Sequence, residues 1–356
     1  MTESDRIVAA VTCAVGLAEG PRGVRAVLTA LARLEPVSTR VLARAVDLPV
    51  PIVAAICGEL RRCGVVADER PTQLTIAGRR RFAHAGSLDL DTTCAACGGR
   101  GIALPENVVH LRRGLAHVAE SAPDARTELD QCHCTPKTML RRVLALHAAG
   151  AIVGRRILLL GDDDLISLAL ARFVARFGSG DVIEELTVLD VDERLLAFVA
   201  GELDDAPFPC SFVHADLRDP LLSEHAGHYD TVVTDPPYTE EGARLFLSRA
   251  TEALAGEGST VFLSFGSRRP GAQLALQRTI IESGLEIRAL TRDFNDYVGA
   301  GVLGGTSHLY QLRATANVVP PVRGRFTGEL YTAARRRTDA TPSTSRRPER
   351  RSGAAR

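Results

Sequence analysis

Tryptophan is absent from this 356-residue chain, methionine occurs twice, and Lys137 is the single lysine. Nearly all cationic side chains are thus arginines, which we read as genome composition rather than function. No apolar run approaches the ~20 residues of a membrane-spanning helix, so neither a transmembrane segment nor a membrane partner is expected. Met1 to Arg6 carries no basic stretch ahead of an apolar one; no signal peptide is expected, and the localisation read from this is cytoplasmic. Eight cysteines in a chain without an export signal point to reduced thiols or a metal site, not to disulfides. Also missing is a Gly-x-Gly-x-x-Gly turn after the first buried strand, which argues against a dinucleotide phosphate at that place.

What stands there instead is Arg155-Arg-Ile-Leu-Leu-Leu-Gly-Asp-Asp-Asp164. Ile157 to Leu160 is a purely aliphatic run, the pattern of a strand buried on both faces. Gly161 permits a sharp turn, and Leu165 to Phe177 has helical spacing. Strand, glycine turn and helix form the first unit of a doubly wound α/β sheet, whose ligands bind at the carboxyl ends of the strands. Three aspartates there would repel phosphate and attract a cation. The alternative is that Asp162, Asp163 and Asp164 only cap the helix and complement its dipole.

At 356 residues, 45% of them apolar, the chain has material for about two domains plus a tail. The formal net charge of zero hides a split: between Arg155 and Arg313 there are 14 arginines against 25 carboxylates, a net of −11. Such a half suits cationic substrates; the basic remainder suits polyanions.

The N-terminal part reads as helices over Val24–Leu34, Thr39–Val46 and Ile52–Cys63, with Ser38 as an N-cap, followed by two short strands at Val65-Val66 and Leu74–Ile76. That order predicts a winged helix for residues 1–88. It could bind DNA through Ile52 to Cys63, with Arg61 and Arg62 on phosphate, or serve as a lid or dimerisation module; a homodimer is expected. Residues 89–150 form a cysteine-containing linker and helix. Cys94-Ala-Ala-Cys97 and Cys132-His-Cys134 together could supply four ligands to zinc, or a redox pair, or packing thiols. Asp130, Gln131 and Thr135 precede a helix over Met139–Ala149 and could line the mouth of a site.

Residues 151–317 carry the α/β part. Leu186–Asp192 is the second strand. Asp192, at its last position, could accept both ribose hydroxyls of a nucleoside, with Asp190 as the alternative; either could instead cap the helix Glu193–Gly201. Phe212–Asp216 is the third strand and places Asp216 to touch an adenine amino group. Tyr229–Thr234 and Ser259–Phe265 follow, and Leu285–Leu290 with His308–Leu312 complete the sheet. Helices Glu241–Ala255 and Gly271–Ser283 fill the gaps. From Val318 to Arg356 the composition turns to Pro, Gly, Arg, Ser and Thr, and a disordered basic tail is expected. Before it, Gly299-Ala-Gly301 and Gly304-Gly305 could form a mobile lid.

The fourth strand runs into Asp235-Pro-Pro-Tyr238. An amine nucleophile has hydrogens to donate: Asp235 and the Pro236 carbonyl can accept them, two prolines stiffen the loop, and the Tyr238 ring favours a developing cation. The alternative is a rigid proline turn without a catalytic part. The loop resembles the Asp/Asn-Pro-Pro-Tyr loop of amine-modifying methyltransferases, and the order of elements resembles the fold of adenosylmethionine-dependent methyltransferases.

Taken together, Gly161-Asp-Asp-Asp164, Asp190-Val-Asp-Glu-Arg194, Asp235-Pro-Pro-Tyr-Thr239, the Cys94/Cys97 knuckle and the leading winged helix resemble the branched-chain polyamine synthases, also called bis(aminopropyl)spermidine synthases. That resemblance spans about Val24 to Leu312; the Arg-rich tail and Cys132-His-Cys134 depart from it. It implies aminopropyl transfer from decarboxylated S-adenosylmethionine to the internal secondary amine of spermidine, giving a branched polyamine and methylthioadenosine. An aspartate within the Gly-Asp-Asp-Asp element would then be the base. We take Asp163, with Asp235 orienting the amine and Tyr238 covering it. Gly161, Asp162, Asp164, Asp190, Asp192, Asp216 and Pro236 would hold the donor. Spaced carboxylates for the polyamine would come from Asp130, Glu240, Glu241, Asp293 and Asp296, with Gln131 beside them. An amine methyltransferase and a polyamine-sensing DNA-binding protein remain as other readings.

Overall fold

The computed structural model describes residues 2–82, 94–178, 182–266, 270–298 and 305–332. A seven-stranded sheet has the order β3-β2-β1-β4-β5-β7-β6. Its strands are β1 (Arg156–Leu160), β2 (Glu185–Asp190), β3 (Cys210–His214), β4 (Thr231–Thr234), β5 (Thr260–Phe265), β6 (Leu285–Asp296) and β7 (Thr306–Ala314). The first five are parallel; β7 pairs antiparallel to β5 and to β6. The order reverses at β1, which lies between β2 and β4. Crevices at such switch points hold the ligands of doubly wound sheets. The predicted α/β sheet is therefore present, with β6 running six residues beyond its expected end at Leu290.

Central strands are buried because helices cover both faces. Ile157 and Leu159 face one core with Val188, Leu168 and Met139; Leu158 and Leu160 face the other with Val232, Leu263 and Leu247. The covering helices used below are α8 (Pro136–Ala148), α9 (Ile166–Phe177), α10 (Glu193–Glu202) and α11 (Glu240–Ala253).

The N-terminal region has its own core around Leu28, Leu31, Ile56 and Leu60. Its helices are α1 (Glu3–Val15), α2 (Pro21–Leu34), α3 (Thr39–Val46), α4 (Val50–Arg62) and α5 (Ile76–Arg81). The first was not expected; a Thr2–Asp5 capping box starts it. The two expected wing strands reduce to a single bridge between Val66 and Leu74. Ile76 begins α5 instead, because the Thr75 hydroxyl accepts the Gly78 amide at 2.9 Å and caps that helix. Helices α6 (Glu106–Val109) and α7 (Leu111–Ser121) were also not foreseen.

Residues 318–332 do not follow the expectation of a disordered tail. Phe326 and Leu330 are buried against Leu245 of α11. Arg249 donates to the Gly324 carbonyl at 2.9 Å, and Ser248 to that of Val322 at 2.8 Å. Two apolar side chains and pairing partners for its backbone are enough to dock this segment. The rest of the predicted tail, 333–356, and the glycines at 299, 301 and 304 of the expected lid lie outside the described residues. Among the described residues no single helix is long and apolar enough to cross a membrane.

Candidate active site

The three consecutive aspartates serve three different ends. Gly161 turns the chain with φ +77°, a conformation that suits glycine. Asp162 is 1% exposed and caps α9: its Oδ1 accepts the Ile166 amide at 2.8 Å, and its Oδ2 accepts the Ser167 hydroxyl. Burial pushes its carboxyl up to about 7 against those donors. Asp164, 3% exposed, accepts from Arg142 Nη1. Only the middle aspartate lines the cavity at the end of the sheet, together with Gly161, Asp190, Asp216, Asp235, Asp130, Gln131, Leu330 and Tyr331.

Asp163 accepts the Cys132 amide at 2.8 Å and has no ion pair among the described residues. Its backbone carbonyl meets His133 Nδ1 at 2.6 Å, while His133 Nε2 reaches the Pro123 carbonyl at 3.0 Å. Burial, then the charges of Asp235, Asp190 and Asp162, push the Asp163 carboxyl up to about 8. A carboxyl with that proton affinity can take a proton near neutral pH.

Across the crevice, Asp235 follows β4. Its Oδ2 accepts Arg142 Nη2 at 2.7 Å and the Tyr297 hydroxyl at 2.5 Å. Burial and the neighbouring Asp164 push it up to about 7 despite the guanidinium. The Tyr238 hydroxyl donates to that of Tyr297 at 2.8 Å, and the Tyr238 ring packs on Phe265 with centroids 5.3 Å apart. Pro236 is buried, and Pro237 rather than Pro236 lines the cavity.

The carboxylates expected to hold the nucleoside lie at the end of β2 and just beyond β2 and β3. The strand β2 ends at Asp190, so Asp192 is not its last residue, as expected, but the N-cap of α10: its Oδ1 accepts the Arg194 amide at 3.1 Å. Asp192 also pairs with the Arg194 guanidinium at 2.7 Å, which holds its carboxyl below the usual range. It is 2% exposed and accepts from Gln131 Nε2 at 3.4 Å. Asp190 accepts the amides of Asp192 and Asp162 and keeps a place in the cavity wall. Asp216 lines the cavity two residues beyond β3, and its Oδ1 accepts the Arg218 amide at 3.0 Å.

Other expected residues are placed elsewhere. Asp296 is held by three guanidiniums: Arg100 at 3.0 Å, Arg44 at 3.2 Å and Arg141 at 3.6 Å. Asp293 accepts the Thr306 hydroxyl at 2.9 Å, and Glu240 and Glu241 open α11; none of these four lines the cavity. The four-cysteine zinc set does not assemble: among the described residues no three His, Cys, Asp or Glu side chains converge as metal ligands. Cys134 is buried with its thiol on the Asp164 carbonyl at 3.4 Å, Cys132 turns to the Val298 carbonyl at 3.3 Å, and Cys94 and Cys97 occupy a separate turn.

Sequence reasoning missed Arg142, Asn295, Tyr297 and Tyr331. Arg142 is 1% exposed on α8, and its signal was an arginine on the apolar face of a predicted helix. Asn295 and Tyr297 are carried by the unforeseen end of β6, and Tyr331 by the docked segment.

A family model described as the branched-chain polyamine synthase A C-terminal domain matches residues 110–338. The chain belongs to the branched-chain polyamine synthase family. The N(4)-bis(aminopropyl)spermidine synthase of Thermococcus kodakarensis is 32% identical over 274 residues, 74% of this chain and 75% of the relative. The synthase of that name from Methanocaldococcus jannaschii is 30% identical over 260 residues, 71% of each chain. The crystal structure of the branched-chain polyamine synthase from Thermus thermophilus, in complex with N4-aminopropylspermidine and 5'-methylthioadenosine, is similar with a TM-score of 0.71. It is 26% identical, and the match covers 92% of this chain and 97% of that one.

Proposed function

We propose that this chain transfers an aminopropyl group from decarboxylated S-adenosylmethionine to the secondary amine of spermidine or a similar polyamine. The products are a branched polyamine and methylthioadenosine. The observation that carries this reading is Asp163: one aspartate of the Gly-Asp-Asp-Asp turn lines the cavity, unpaired with any cation among the described residues, facing a second carboxylate at Asp235. Both reactants are cations, and negative charge gathers where they meet.

The donor's adenosine lies toward Asp190 and Asp216, with the Tyr331 ring beside it. Its propyl carbon next to the sulfonium points to the space between Asp163 and Asp235. A polyamine nitrogen is largely protonated near neutral pH and attacks only as the free amine. Asp163 takes that proton; Asp235 accepts a remaining N–H and aims the lone pair. In-line attack forms the new C–N bond as the C–S bond breaks, and the electron pair leaves on sulfur as neutral thioether. Holding carbon and nitrogen in contact supplies most of the acceleration. Tyr238 and Pro236 shape the loop behind Asp235, and Asp162 and Asp164 hold the turn from within.

Residues 151–317 form the catalytic domain in this reading, preceded by the linker 89–150 and a winged-helix-like region within 1–88, in which a Val66–Leu74 bridge replaces the wing.

Incubation with decarboxylated donor and spermidine, with products read by mass spectrometry, tests the reading. A mass gain of one or two aminopropyl groups on spermidine, with methylthioadenosine formed, is the expected result. Methyl transfer from intact adenosylmethionine, with no reaction of the decarboxylated donor, would overturn it.

A further inference from the structure

We infer that Arg142 acts as a positioning residue that draws Asp235 toward its anionic form, against the push of the neighbouring Asp164, and thereby leaves proton removal to Asp163. This builds on the aminopropyl-transfer reading, to which Arg142 has so far contributed no role.

Arg142 is fully surrounded. Its Nε donates to Asn295 Oδ1 at 2.8 Å, Nη1 to Asp164 Oδ2, and Nη2 to Asp235 Oδ2 at 2.7 Å and to the Tyr297 hydroxyl at 2.9 Å. Asn295 is itself fixed by donating to Ser264 at 3.0 Å and Ser307 at 2.8 Å. Every nitrogen of that guanidinium is thus aimed, which is the use of a planar fork rather than of a point charge. Two neighbouring carboxylates share this one cation, so one of their two negative charges is left uncompensated and both carboxyls are pushed up.

Asp235 Oδ2 receives two donors, Arg142 and Tyr297. The neighbouring Asp164 pushes the Asp235 carboxyl up, by its charge and by their shared hydrogen bond, while Arg142 and Tyr297 draw it back toward the anion. Groups facing Asp235 are Asp163 and Asp164 from the turn after β1, Arg142 from α8, Cys134 before it, Tyr297 from the end of β6 and Tyr238 from its own loop. Asp163 faces Asp162, Asp190 and Asp235, with His133 on its carbonyl and no cation on its carboxylate. Two carboxylates at one reaction centre are split in this way into a hydrogen-bond acceptor and a base.

The test is Arg142→Met beside the charge-balanced double variant Arg142→Met/Asp164→Asn, with folding checked by thermal unfolding. The single change should lower kcat by about 100-fold and move the acidic limb of the kcat profile up by at least about one pH unit. The double change should recover about tenfold of kcat and bring the limb back, since it removes the like charge that protonates Asp235. A carbon-13 titration of the Asp235 carboxyl gives the same answer without turnover: its pKa should rise in the single variant and fall back in the double. If both variants are equally impaired and the Asp235 titration does not move, Arg142 is only a packing element and the inference fails. If the wild-type protein shows no aminopropyl transfer while the titration behaves as stated, the functional reading fails and the hold of Arg142 on Asp235 stands.

Discussion

Thr332 donates its backbone amide to Asp130 Oδ2 at 2.7 Å and its hydroxyl to Asp130 Oδ1, over 202 residues of sequence. The contact pins the segment that brings Leu330 and Tyr331 into the cavity wall, where the Tyr331 ring lies 5.5 Å from the Arg218 guanidinium. Asp130 itself closes the short turn Thr127–Leu129 at φ +56°. Asp130→Ala should release the segment. Each hydrogen bond to a carboxylate is worth about 1.5–3 kcal/mol. We expect donor KM to rise roughly tenfold with a smaller change in kcat, and limited proteolysis to cut earlier within 318–332.

Asp163→Asn should leave donor binding within a few-fold and lower kcat by about 100-fold or more, measured by methylthioadenosine release. In the wild type, activity should fall as pH drops below about 8, the value to which burial and neighbouring carboxylates push Asp163. Stability runs the other way. The folded-state value lies above that of the unfolded chain, so between pH ~4 and ~8 the folded protein binds the extra proton and stability declines as pH rises. Asp163→Asn should therefore melt higher than wild type at pH 8 and at nearly the same temperature at pH 4.5. Equal melting shifts at both pH values would show that Asp163 is not held with a raised pKa.

Tyr297→Phe removes the hydroxyl shared by Asp235, Tyr238 and Ser307. The ring and its packing remain, so thermal stability should fall by only about 1 kcal/mol. The Asp235 carboxylate loses one of two donors, and kcat should drop by about tenfold with donor KM unchanged; steady-state kinetics on both substrates decide this.

Asp296→Ala should act on the fold before the chemistry. It strips the shared carboxylate from Arg44 of α3, Arg100 and Arg141, leaving half-buried guanidiniums facing each other. Loss of one partner from a buried charged cluster costs about 3–5 kcal/mol. We expect a clear drop in melting temperature, with polyamine KM little changed in the protein that remains folded. A raised polyamine KM at unchanged melting temperature would return Asp296 to the substrate.

The continuous aliphatic runs, the glycine after Leu160 and the carboxylates at strand ends were local signals, and they sufficed to place the central strands and the end of the sheet where Asp163 and Asp235 gather. Binary pattern and turn chemistry act over a few residues, which is why they can be read without coordinates. The roles within Asp162-Asp163-Asp164 could not be read that way: all three are the same residue in one turn. Ser167 made the first a cap, Arg142 on another helix neutralised the third, and only the cavity distinguished the second. Likewise Asp296 met three arginines from distant segments, and Asp130 met Thr332. The sequence alone determined which carboxylates exist and at which end of the sheet they gather. Tertiary packing alone decided which of them keeps an uncompensated charge, because charge compensation depends on side chains far apart in the chain.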